Sequence, residues 1–186
     1  MKIAMLGSGF IGRFYADSLQ GYRNKDKIVS IYSRREESAR KFAQDYQCMH
    51  WTTKMEESIA HPEVEIVCIS LPNHLHEEAV LLCCKHKKAV ITTKPLGRNG
   101  AEAKRMLQAV EKAGIFNGYL EDLVYTPKFL KALESVKKGA LGRILWANPE
   151  RRIRDLTVTG FGILSRPEAD VFSIWAVIVL KSPAAT

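Results

Sequence analysis

Gly7-Ser8-Gly9-Phe10-Ile11-Gly12 places three glycines at the G-x-G-x-x-G spacing. That spacing suits a backbone that must hold phosphate. The first glycine permits a tight turn, the second lets the backbone approach a pyrophosphate, and the third lets a helix pack on a strand. A helix opening there offers N–H groups and partial positive charge to the phosphates. The motif carries weight only between a strand and a helix. Here the apolar run Lys2 to Leu6 precedes it, and Phe10 to Gln20 reads as a helix. A dinucleotide is therefore the expected ligand, held by Gly7, Gly9, Phe10, Ile11 and Gly12.

The end of the second strand distinguishes two cofactors. A fold that prefers NAD places Asp or Glu there for the ribose 2′-OH. This sequence has Tyr32-Ser33-Arg34-Arg35. A hydroxyl and guanidinium groups suit a 2′-phosphate, because Arg pairs with phosphate through charge-assisted, bidentate bonds. NADP is the expected cofactor, with Ser33 and Arg34 at its 2′-phosphate and NAD as the alternative. The competing reading makes Arg34 and Arg35 the solvated start of a helix.

Other reactive side chains form no comparable set. Cys48, Cys68, Cys83 and Cys84 lack zinc spacing, and a vicinal pair makes a poor structural bridge. His74 and His76 stand at i and i+2, so they do not share a helix face. No metal site is expected. Reduced thiols, and only four apolar residues between Lys2 and Gly7 where a signal peptide needs more, point to a cytoplasmic chain. The longest apolar run, Val171 to Leu180, falls short of the roughly 20 residues of a membrane helix. With 28 Lys and Arg against 20 Asp and Glu, the net charge is +8. The basic residues are scattered and not interleaved with aromatics, so a nucleic-acid partner is not expected.

The elements that must position these groups alternate. Strands are expected over Lys2 to Leu6, Lys27 to Tyr32, Gln47 to Trp51, Glu65 to Leu71, Ala89 to Thr93 and Ile115 to Tyr119. Helices are expected over Phe10 to Gln20, Arg35 to Tyr46, Lys54 to Ala60, Asn73 to Lys85, and from a cap at Asn99 to Ala113. Gly114 suits the position after a helix. A further helix starts at Pro127 and ends at Gly139, and Gly142 to Trp146 reads as a strand. The alternation means βαβ units and a doubly wound parallel sheet, an α/β Rossmann fold. At 186 residues the chain holds one such domain and a remainder.

Two further segments carry a resemblance. Leu71-Pro72-Asn73-His74-Leu75-His76 and Thr93-Lys94-Pro95-Leu96-Gly97, downstream of an N-terminal glycine loop, resemble the Gfo/Idh/MocA family, which includes glucose–fructose oxidoreductase and inositol dehydrogenase. The stretch Gly118 to Pro127 is similar to its dihydrodiol dehydrogenase-like members. The resemblance implies a Rossmann domain followed by an α/β domain built on a large, mostly antiparallel sheet. It implies hydride transfer between NAD(P) and a hydroxyl-bearing carbon of a sugar, polyol or cyclic diol. It makes Lys94 the active-site lysine, and sets Leu71, Pro72, Asn73, His76 and Glu121 near the nicotinamide. The family's glutamate before that lysine is Thr93 here. Read from the residues alone, Asn73 is a helix cap, His74 and His76 are partly buried histidines, and Glu121 is a solvated carboxylate.

The resemblance covers residues 1 to 147 and then stops. The expected division is a Rossmann domain at 1–120, the start of an incomplete second α/β domain at 121–147, and an aberrant tail at 148–186. The family's Asp-x-Gly-x-His motif is missing from the sequence. Back-translated in another frame with permitted codons, residues 151–186 can yield Gly-Gly-Gly and Asp-Met-Gly-Cys-His, so the tail is read as out of frame. A chain of this form is expected to be catalytically impaired. A non-catalytic dinucleotide-binding or regulatory module is the alternative. The lost domain carries the family's oligomer interface, so a family-type homo-oligomer is not expected. The tail holds five basic and four acidic residues, which leaves +7 of the charge in the family-like part.

Overall fold

Short apolar runs and amphipathic helices alternate along the chain, and each pair adds one strand and one covering helix to a growing sheet. A computed structural model describes residues 1–23, 25–121 and 125–140. The expected strand at 142–146 and the tail at 148–186 lie outside the described residues. The strands are β1 (Lys2–Leu6), β2 (Lys27–Tyr32), β3 (His50–Thr52), β4 (Ile66–Ile69), β5 (Ala89–Thr93) and β6 (Asn117–Leu120). The helices are α1 (Phe10–Ser18), α2 (Glu36–Asp45), α3 (Met55–Ala60), α4 (His76–Lys85), α5 (Gly100–Ala113) and α6 (Pro127–Lys137).

All six strands are parallel, in the order β3-β2-β1-β4-β5-β6. The winding direction therefore reverses between β1 and β4. In open parallel sheets, ligands bind beyond the strand C-termini at such a reversal.

Side chains alternate across the sheet, and both faces are apolar because both are covered. Ala4, Leu6, Val67, Ile69 and Val90 pack with Met55 and Ile59 of α3, Val80 and Cys83 of α4, and Met106 and Val110 of α5. On the other face Ile3, Met5, Ile31 and Cys68 pack with Ala16 of α1 and with Phe42 and Ala43 of α2. Burial of each large side chain contributes about 1.5–3 kcal/mol, so β1 and β4 form a rigid base for the loops at their ends.

Helix ends follow the local chemistry. Asn99 caps α5, its side chain accepting from the Glu102 N–H, and Gly114 closes it at φ 65°. Several boundaries differ from the sequence expectation by a few residues, and two of them have a clear local cause. Gln47 and Cys48 do not start β3: Gln47 has φ 53°, and the Cys48 N–H donates to the Ala43 carbonyl, so both residues close α2. The helix expected from Asn73 opens instead as a 3-10 turn over Asn73–Leu75, without a side-chain cap bond. The described residues divide into two compact units, the first covering Met1–Leu120 and the second beginning at Glu121. In the second, Pro127 occupies the first turn of α6, and Gly139 follows that helix at φ 69°.

Candidate functional site

The glycine loop joins β1 to α1 at the reversal point. Gly7 continues the sheet, its N–H donating to the Tyr32 carbonyl at 2.9 Å. It has φ 108°, and a Cβ there would lie 2.5 Å from the Ser70 carbonyl oxygen at the end of β4. At Gly12 a Cβ would lie 2.1 Å from the Gly7 carbonyl oxygen. Both positions need glycine to let the helix and loop pack. Gly9 differs. Its φ of −76° suits any residue, and a Cβ there would meet no atom of the described residues within 4 Å. The fold gives no steric reason for glycine at that position.

Gly9 is the N-cap of α1. The first intrahelical bond runs from the Arg13 N–H to the Gly9 carbonyl. The N–H groups of Phe10, Ile11 and Gly12 therefore have no carbonyl acceptor within the helix. The first turn carries no acidic side chain. A negatively charged group is thus favoured at this helix end. Phe10 is exposed, Ile11 half-buried and Gly12 buried.

Beyond β2 the Ser33 and Ser8 hydroxyls meet at 2.8 Å, which ties the glycine loop to the next strand end. Ser33 is buried, and its N–H donates to the Thr52 carbonyl. Arg34 and Arg35 are both exposed. Arg35 is the N-cap of α2, so one of the two guanidinium residues does open a helix.

Beyond β4, Leu71 is half-buried while Pro72 and Asn73 are exposed. His76 is fully buried in the first turn of α4. Its Nδ1 lies 2.9 Å from the Pro95 carbonyl oxygen and its Nε2 2.9 Å from that of Leu71. Beyond β5, Thr93 is buried and Lys94 is exposed. Glu121, directly after β6, is buried rather than solvated. The loops after β1, β2, β4 and β5 thus carry Gly7 to Gly12, Ser33 and Arg34, Leu71 to His76, and Lys94 at one edge of the sheet.

Three supporting arrangements were not anticipated from the sequence. The Ser8–Ser33 pair and the His76–Pro95 contact each join loops that follow different strands, and the His76–Leu71 contact depends on how α4 folds back on the end of β4. The third had a signal. Asn99-Gly100-Ala101-Glu102 follows the spacing of a capping box. Glu102 is buried and accepts from the Arg98 backbone N–H at 2.9 Å and from Arg98 Nε at 2.8 Å. The guanidinium beside it holds the Glu102 carboxyl below the usual carboxylate range. This box fixes the turn that follows Pro95. Among the described residues, no group of three or more His, Cys, Asp or Glu could hold a metal ion. No helix among them is long and apolar enough to cross a membrane.

Sheet order, reversal point and glycine loop together define a Rossmann domain that binds a dinucleotide. Comparison with known proteins gives the family. Residues 1–118 match the profile GFO_IDH_MocA, described as "Oxidoreductase family, NAD-binding Rossmann fold". The chain belongs to the Gfo/Idh/MocA oxidoreductase family. It is 33% identical over 109 residues to a levoglucosan dehydrogenase of Pseudarthrobacter phenanthrenivorans, covering 59% of this chain and 27% of that one. It is 30% identical over 155 residues to a trans-1,2-dihydrobenzene-1,2-diol dehydrogenase of Macaca fascicularis, covering 81% and 45%. A solved levoglucosan dehydrogenase in complex with NADH and levoglucosan aligns with a TM-score of 0.73 at 27% identity, covering 78% of this chain and 41% of that one. The chain spans less than half the length of each of these three proteins.

Proposed function

We propose that this chain is an NADP-dependent oxidoreductase, or the cofactor-binding half of one, acting on a hydroxyl of a sugar, polyol or cyclic diol. The observation that carries the reading is the contrast among the three glycines. Gly7 and Gly12 are required by close packing, whereas Gly9 faces open space at a helix N-terminus. Glycine at Gly9 leaves room for a ligand's phosphates. Ser8, Ser33 and Arg34 support NADP over NAD: a hydroxyl pair and an exposed guanidinium stand where an NAD-preferring fold has a carboxylate. The names of the relatives, levoglucosan dehydrogenase and dihydrobenzenediol dehydrogenase, support a cyclic substrate with hydroxyl groups.

The cofactor, when bound, supplies the nicotinamide carbon that takes or gives the hydride. The residues of this chain do the rest. The α1 N-terminus and Gly9 hold the pyrophosphate, and Ser33 and Arg34 hold the 2′-phosphate. Pro72 and Asn73 line the nicotinamide side. Lys94 hydrogen-bonds the substrate hydroxyl and assists the departure of its proton as the hydride leaves. General acid–base assistance of this kind contributes typically about 10²–10⁴-fold.

Fluorescence titration with NADPH and with NADH tests the first half of this reading. NADPH binding tighter than NADH supports it, and no binding of either sinks it. Turnover on a panel of sugars, polyols and cyclic diols tests the second half. Thr93, in place of the family's glutamate beside Lys94, favours a second reading. In that reading the chain binds the dinucleotide without turning over substrate, as a regulatory module. Cofactor binding with no turnover on the panel would select it.

A further inference from the structure

Among the described residues, the His76 ring meets two acceptors. The ring is fully buried, with Nδ1 and Nε2 each 2.9 Å from a backbone carbonyl oxygen. A carbonyl oxygen only accepts, so each contact needs a hydrogen on its nitrogen. A neutral ring can donate to one carbonyl, and the doubly protonated ring can donate to both. The carbonyls belong to different loops. Leu71 continues the segment after β4, where the Ser70 carbonyl packs against Gly7. Pro95 directly follows Lys94. One side chain therefore joins the wall of the glycine turn to the loop that carries Lys94. The Asn99–Glu102–Arg98 box braces that second loop from its far end.

We propose that His76 is a positioning residue that donates one ring N–H to each loop and so fixes Lys94 relative to the bound dinucleotide. The roles of Lys94 and of the dinucleotide rest on the proposed function, whereas the paired donation does not.

Two measurements on the full chain separate these parts. The first is the ¹⁵N-edited spectrum of His76, assigned through its backbone. Ring N–H hydrogens that are buried and bonded exchange slowly enough to be seen. Two slowly exchanging ring N–H signals are expected, and a single one overturns the paired donation. This needs no variant, so it decides even if substitution prevents folding. The second measurement compares wild type with His76→Leu and His76→Gln. NADPH is titrated by fluorescence, and the ¹³C-methylated Lys94 amine is followed by NMR, assigned by Lys94→Arg. His76→Leu is expected to weaken NADPH binding by about tenfold and to abolish the NADPH-induced shift of the Lys94 signal. His76→Gln, which keeps an amide donor, is expected to restore part of both. A folded His76→Leu with wild-type affinity and a wild-type Lys94 response overturns the positioning role. Two ring signals in a wild-type chain that binds neither NADPH nor NADH would refute the proposed function and leave the paired donation standing.

Discussion

Gly9→Ala and Gly12→Ala test whether the glycine loop is shaped for a ligand or only for the fold. At Gly12 a new Cβ would sit 2.1 Å from a backbone oxygen, that of Gly7. Backbone cannot rotate aside as a side chain can, so the cost falls at the upper end of the overpacking range, about 3 kcal/mol. At roughly 2–4 °C per kcal/mol for a chain of this size, Gly12→Ala should lower Tm by roughly 6–12 °C. At Gly9 the new Cβ meets nothing among the described residues within 4 Å and φ is ordinary. Its stability should change by no more than about 0.5 kcal/mol, about 2 °C in Tm. The same methyl group would occupy the approach of the pyrophosphate, so the Kd for NADPH should rise about tenfold or more, some 1.4 kcal/mol. Thermal melts by circular dichroism and NADPH fluorescence titration read the two effects separately. The reasoning is refuted if Gly9→Ala binds NADPH like wild type, or if it unfolds as early as Gly12→Ala.

Three further outcomes follow from the site and its supports. Arg34→Ala should weaken NADPH by about tenfold, the worth of a bond between charged groups, and leave NADH unchanged. Equal losses for the two cofactors would remove Arg34 from the 2′-phosphate. Glu102 has its carboxyl held low, first by the Arg98 hydrogen bond. Its contribution to stability is therefore present above the ordinary carboxylate value of about 4.5 and lost as pH falls through the lowered one. The gap in Tm between wild type and Glu102→Gln should narrow as pH drops below about 4.5, and a constant gap would contradict it. Burial pushes the Cys48 and Cys68 thiols up to about 11 and raises that of Cys83 as well. A thiol reagent at neutral pH should reach Cys84 alone before denaturation. Fast reaction at two or more thiols would mean that the sheet is not packed as described.

The fold was legible where the signal is local. Lys27–Tyr32 and Ala89–Thr93 are runs of strand-forming residues ended by polar ones, and their bounds match the structure. Asn99 and Gly114 mark α5 because capping needs particular residue types. The misplacement of β3 has a plain cause. Cys48 looks like a strand residue, but the turn closing α2 uses its N–H. Within the site, the glycine spacing announced the loop but not the difference among its members. Gly7 and Gly12 are fixed by contacts with Ser70 and with the loop itself, which only the packed structure displays. Asn73 read as a cap from its type, yet its segment opens as a 3-10 turn. His76 read from the sequence as a partly buried histidine or a residue of the nicotinamide pocket. Its place between Leu71 and Pro95 depends on β4 and β5 lying side by side, which no local pattern encodes.

The most direct test of cofactor binding at this site is the backbone amide ¹H–¹⁵N spectrum of the full chain during addition of NADPH. Binding as proposed should move the amides of Ser8 to Gly12, Ser33 to Arg35, Asn73 and Lys94, and leave the helices remote from them in place. Saturable shifts confined to those loops, larger with NADPH than with NADH, are the expected result. An unchanged spectrum would contradict the account, as would shifts confined to the surface groove lined by Glu56, Glu57, Glu78 and His86.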